Sequence, residues 1–224
     1  MEIEVTESGR HGAPQPESGS TSNRAAMGRR ALLGAGIGGA ALSLLPFLSG
    51  SAGATPPEEA ATTTAPPRRP TTADAEMLGQ LQALELTAQA LYTEAVNVGG
   101  WSDEQAALVS FILEAHRAYG QSLSGLLGRD APGRRNDELF DAWRADFTGA
   151  PDQVLAAAYD LESALVATHT EVLASLEGTN GAASISSMLI NEARFCTALA
   201  DLNGSTDNSE LLVDDEADSL VGQG

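Results

Sequence analysis

Between residues 73 and 204 apolar side chains recur at steps of three and four, the spacing that lines one face of an α-helix. The first such stretch runs from about Ala73 to Val98 on Met77, Leu78, Leu81, Leu84, Ala88, Leu91, Tyr92 and Ala95. Gly99-Gly100 stops it. The second starts at Ser102, with Gln105 three residues on in a capping-box pattern, and extends to about Leu127 through Val109, Ile112, Tyr119, Leu123 and Leu126. The third opens at Pro151, a favoured first helical position, and runs to about Leu176 on Ala158, Leu161, Leu165 and Val172. The fourth covers about Ala182 to Leu202 with Ile185, Met188, Phe195, Leu199 and Leu202, and Asn203-Gly204 ends it. Asp137 to Phe147 reads as a short helix carrying Phe140, Trp143 and Phe147 across the connection between the second and third. The expected fold is all-α: an antiparallel four-helix bundle with a short extra helix between helices 2 and 3.

Beyond residues 73–204 the period disappears. Residues 55–72 form a Pro/Thr/Ala linker (Thr62-Thr63-Thr64-Ala65-Pro66-Pro67-Arg68-Arg69-Pro70), too poor in apolar side chains to fold, so it is expected to be extended and mobile. Residues 205–224 are acidic and aperiodic and are expected to be a disordered tail. In residues 1–54, Arg29-Arg30 precede a Gly/Ala-rich apolar run to about Phe47, and Ala52-Gly53-Ala54 follows with small residues where a signal peptidase reads. This resembles a twin-arginine export signal, with Gly28 and Leu32 departing from its usual residues. It implies an exported, extracytoplasmic or envelope-associated protein cleaved after Ala54. An uncleaved anchor is the competing reading and the only membrane contact expected. Met27 is an alternative start, giving a short n-region.

Composition narrows the partners. The net charge of −19 belongs wholly to the chain after residue 54, because four acids and four arginines cancel before it; no lysine occurs. Such an acidic surface argues against nucleic acid and anionic membranes. Aromatics make up only 4%, so the core must be mainly Leu, Ala, Val and Ile. One cysteine, Cys196, excludes an intrachain disulfide and is expected as a small buried hydrophobe. Asp201-Leu202-Asn203-Gly204-Ser205 fails as a calcium loop, since Gly is not sixth and no Glu is twelfth.

Four ionisable residues interrupt the apolar stripes, one per long helix: Glu85, His116, Glu162 and Glu192. A carboxylate on a buried face neutralises, pairs or coordinates a metal, because an unpaired buried charge is too costly. Glu114 points to the flank of its helix and is expected in water.

Residues 75–203 resemble the ferritin-like superfamily, through Leu84-Glu85-Leu86-Thr87-Ala88-Gln89-Ala90-Leu91-Tyr92 on the first helix, Leu161-Glu162 on the third and Glu192-Ala193-Arg194-Phe195 on the fourth. In that superfamily the first and third helices each supply a Glu, the second and fourth each supply Glu-x-x-His, and six ligands hold two iron or manganese ions. The chain departs from this at His116-x-x-Tyr119 and Glu192-x-x-Phe195. The resemblance implies a degenerate metal centre of Glu85, His116, Glu162 and Glu192. Tyr119 and His169 stand beside it as hydrogen-bonding partners; His169 lies two turns, about 10 Å of helical rise, from Glu162. Hard carboxylates with one imidazole suit iron or manganese, zinc less well. Three readings stay open: a metal-binding or minor redox protein, a metal-free structural or interaction module whose polar cluster fixes helix register, and a small-ligand pocket where Tyr119 and Phe195 leave space.

Overall fold

The computed structural model describes residues 65–209 and 211–222. The twin-arginine segment, the cleavage site after Ala54 and the linker up to residue 64 lie outside them. The described residues contain α1 (Thr72–Ala95), α2 (Asp103–Leu127), α3 (Asp137–Trp143), α4 (Pro151–Ser175) and α5 (Thr179–Leu202). Single 3-10 turns occupy Gly128–Asp130 and Asp146–Thr148, and no strand occurs among the described residues. The all-α expectation holds.

Local chemistry fixes the helix ends. Ser102 and Gln105 form the expected capping box at the start of α2. The start of α1 has a box of its own. Thr71 Oγ1 accepts from the Asp74 N–H at 3.2 Å, and Asp74 Oδ2 accepts from the Thr71 N–H at 2.9 Å. The Asp74 carboxylate also accepts the N–H groups of Glu177 and Gly178, each at 2.9 Å, and so ties the start of α1 to the turn between α4 and α5. Gly178 is required there by space. A Cβ would lie 2.8 Å from both the Arg69 carbonyl oxygen and Asp74 Oδ2.

Three boundaries differ from the sequence reading. α5 begins at Thr179, three residues before Ala182, because the carbonyls of Pro67 and Arg68 accept the N–H groups of Thr179 and Asn180 at 3.0 Å. Those are N–H groups a helix start leaves without partners. The last linker residues are therefore pinned. α1 stops at Ala95 short of Val98; the Trp101 indole N–H takes the Ala95 carbonyl at 3.1 Å, and Gly100, at φ +93°, turns the chain. The short helix likewise ends at Trp143, leaving Phe147 in the following 3-10 turn, fully buried and edge-on to Tyr92 at 5.5 Å.

α1 packs along α2 and α4 along α5. α2 meets α5, and α1 meets α4, far more sparingly. All four long helices contribute to one core of Leu, Val, Ile, Ala, Phe147 and Tyr92. Phe147 wedges between α1 and α4 at one place along that sparse contact.

The tail is a correction. It is expected to be disordered, yet Leu211–Gly222 runs across α4. The Tyr159 hydroxyl donates to the Leu212 carbonyl, Ser163 Oγ accepts the Asp214 N–H at 3.3 Å, and Thr168 Oγ1 accepts the Leu220 N–H at 2.8 Å. Leu220 is buried, and Asp214, Asp215, Glu216 and Asp218 stay exposed. The reason lies in α4, where every residue from Leu161 to His169 is buried or half-buried. A helix apolar or small on its outer side as well needs a cover there, and the tail's backbone and leucines provide it.

Candidate metal centre

Each stripe-breaking residue emerges where helical periodicity aims it. Glu85 of α1, His116 of α2, Glu162 of α4 and Glu192 of α5 are all fully buried, and so is His169 of α4. The structure brings these five side chains, with Tyr92, into one chain of contacts. The Tyr92 hydroxyl donates to Glu162 Oε1 at 2.7 Å. The same oxygen lies 2.9 Å from His116 Nε2, and the other side of that ring, Nδ1, lies 2.7 Å from Glu85 Oε2. Glu85 Oε1 is 3.2 Å from His169 Nε2, an opposite-charge contact whose alignment falls short of a hydrogen bond. His169 Nδ1 then meets Glu192 Oε2 at 2.6 Å. The order is Tyr92, Glu162, His116, Glu85, His169, Glu192.

The electrostatics follow from alternating acids and imidazoles without water. Burial raises the Glu85 carboxyl, but contacts with His116 and then His169 outweigh it together and hold it at about 2. Burial lowers both histidines. The charge and contact of Glu192, then Glu85, nevertheless lift His169 to about 10, and Glu162 with Glu85 carries His116 well above its ordinary value. Burial raises Glu192 to about 7; His169 opposes this while the charges of Glu85 and Glu162 reinforce it. Near neutral pH the centre thus holds two imidazolium rings around an ionised Glu85, with Glu192 able to change charge.

The donor set fits a metal ion in three respects. One donor atom from each of Glu85, His116 and Glu192 lies within 4.8 Å of the other two. Glu85 Oε1, Glu162 Oε2 and Glu192 Oε1, one oxygen from each carboxylate, are buried without a hydrogen-bond partner among the described residues, and buried polar atoms ordinarily have one. The nitrogen–oxygen separations of 2.6–3.2 Å also approach the edge of an octahedron with bonds of about 2.1 Å, roughly 3 Å. Coordination would require each ligating imidazole nitrogen to be free of its proton.

His169 is the residue the sequence reading underrates. Two turns separate its backbone from that of Glu162, but Glu85 and Glu192 reach across from α1 and α5 to meet its two nitrogens. Its place on the α4 stripe beside Glu162 is the signal that marks it. Tyr92, read as core, is the other missed participant; it also stacks on His116 at 5.3 Å between ring centroids. Tyr119 meets no carboxylate: it stands edge-on to the His116 ring at 5.9 Å, half-buried and beside Asn191. Phe195 packs edge-on against Phe111 at 5.9 Å. Glu114 is exposed and pairs with Arg117. Cys196 is buried with its thiol 3.6 Å from Ser163 Oγ, and burial pushes it up to about 12.

No protein-family model, curated protein or solved structure matches this chain. Among the described residues no helix is long and apolar enough to cross a membrane.

Proposed function

We propose that this protein is an exported, ferritin-like four-helix bundle that binds a metal ion at a degenerate centre of Glu85, His116 and Glu192, flanked by Glu162 and His169. One observation carries the reading. Donor atoms from three helices converge within 4.8 Å in a fully buried site, and two of those residues, Glu85 and Glu192, keep a carboxylate oxygen without a hydrogen-bond partner. Three carboxylates and two imidazoles are a hard, oxygen-rich set that favours iron or manganese over zinc. Either metal would supply one-electron chemistry when bound, and this chain's residues would hold it away from water. The pairing of α1 with α2 and α4 with α5 around a common core supports the bundle, and Arg29-Arg30 before an apolar run supports export.

The test is metal content of the full chain, purified without chelators and offered iron(II), manganese(II) and zinc(II). About one ion per chain is expected, lost in Glu85→Ala and His116→Ala and kept in Glu114→Ala. A parent chain that is helical and binds none of the three sinks the reading. A second reading has its own support: three of the four imidazole nitrogens already hydrogen-bond a carboxylate, and the fourth lies at ion-pair distance from one. The cluster can therefore stand without metal as a device that fixes helix register in a structural or interaction module. Normal folding and helix packing in a metal-free parent would favour it.

A further inference from the structure

The contact between α1 and α4 is sparse, and Glu85, Glu162 and His169 lie on those two helices. Phe147 fills one place along it. Leu220, from the far end of the chain, occupies another: its N–H bonds Thr168, the residue before His169, and it lines the same surface groove as Leu84, the residue before Glu85. Between its bonds to Ser163 and Thr168 the segment follows α4. We infer that Leu211–Gly222 is a detachable strap that closes the α1–α4 seam and governs exchange of ions and water with the buried cluster; its role toward a metal rests on the reading above.

The construction of the strap suits reversible release. Its hold includes three hydrogen bonds through its own backbone, with Leu220 buried and Val221 half-buried against the core. Asp214, Asp215, Glu216 and Asp218 all face water and take part in none of the ion pairs among the described residues. An attachment made of backbone hydrogen bonds and two apolar side chains opens without separating buried charges, and segments with few buried apolar contacts are those that open locally. The anchor Ser163 also touches the thiol of Cys196, so the single cysteine lies one side chain beneath the strap.

The experiment compares the full-length parent with Leu220→Asp and, as a charge-matched control, Leu212→Asp, whose side chain is already exposed. Alkylation of Cys196 reports detachment, and manganese transfer to an external chelator reports access. Leu220→Asp should raise both rates at least tenfold over the parent and over Leu212→Asp, while the equilibrium affinity for manganese stays within about threefold. Faster alkylation with manganese release unchanged within twofold overturns the gating role, and unchanged alkylation overturns detachment. If the parent binds no manganese the metal reading falls separately. Deuterium exchange at C2 of the His169 ring then decides the strap: at least fivefold faster in Leu220→Asp supports it, and an unchanged rate overturns it. Should Leu220→Asp fail to fold, Thr168→Val removes the acceptor of the Leu220 N–H, together with the hydroxyl's own bond to the Ala164 carbonyl within α4, and must shift the same readouts in the same direction.

Discussion

Glu85→Gln is the sharpest probe of the buried chain, because among the described residues Glu85 is the only carboxylate that touches both imidazoles. The substitution keeps shape and one carbonyl acceptor, so it adds little cavity. It removes the anion between two imidazolium rings and leaves His116 beside Glu162 and His169 beside Glu192, which, raised to about 7, is mostly neutral at pH 6. Removing one partner of a buried ion pair costs about 3–5 kcal/mol. The retained hydrogen-bonding carbonyl offsets about 1 kcal/mol of that, so the expected loss is roughly 2–4 kcal/mol. For a domain of this size 1 kcal/mol moves the midpoint by about 2–4 °C, so the fall is about 4–16 °C. Urea unfolding at pH 6 followed by circular dichroism, with chelator present, measures it. Glu114→Gln, at an exposed pair, should stay within about 0.5 kcal/mol of the parent. A loss below 1 kcal/mol for Glu85→Gln, or a gain, would mean that the cluster does not carry the opposed charges assigned to it.

The same charges set a pH profile for the metal-free chain. Glu85, depressed from 4.5 to about 2, stabilises above its ordinary value and loses that contribution as pH falls through this range. His169, raised from 6.5 to about 10, stabilises fully below 6.5 and loses that contribution as pH rises toward 10. Glu192, raised from 4.5 to about 7, makes the folded state bind more protons across that window, so stability falls as pH rises through it. Unfolding free energy should therefore peak near about pH 5 and decline on both sides, and a profile still rising between pH 7 and 9 would contradict the assignment. Tyr92→Phe removes the hydroxyl that donates to Glu162 and should cost about 1–2 kcal/mol in urea unfolding; a neutral outcome would remove Tyr92 from the chain. Gly178→Ala drives a Cβ to 2.8 Å from the Arg69 carbonyl and should cost about 1–3 kcal/mol, seen as a lower thermal midpoint. Its φ of −79° is ordinary for alanine, so an unchanged midpoint would show that the crowding relaxes.

The hydrophobic period, read along the chain, was enough to find the long helices, the short helix and the four ionisable side chains that break the stripes. Period, caps and glycine stops act within a few residues of each other, so Ser102 with Gln105, Pro151 and Gly204 are legible without knowing what lies opposite. That Glu85, His116, Glu162 and Glu192 are buried follows from the same local rule, since each sits where its neighbours on the face are Leu, Ile or Phe. What these residues meet was decided in three dimensions. His169 looks two turns remote from Glu162 along α4, and only the approach of α1 and α5 puts Glu85 and Glu192 on its two nitrogens. Tyr92 reads as core until Glu162 arrives from α4 to accept its hydroxyl. The start of α5 waits on carbonyls from residues 67 and 68, more than a hundred positions earlier. The acidic tail, whose composition alone suggests disorder, finds its place because Ser163 and Thr168 of α4 accept its backbone N–H groups. Sequence spacing specifies which face a side chain occupies; the packing of helices distant in the chain specifies its partner, and partners determine charge.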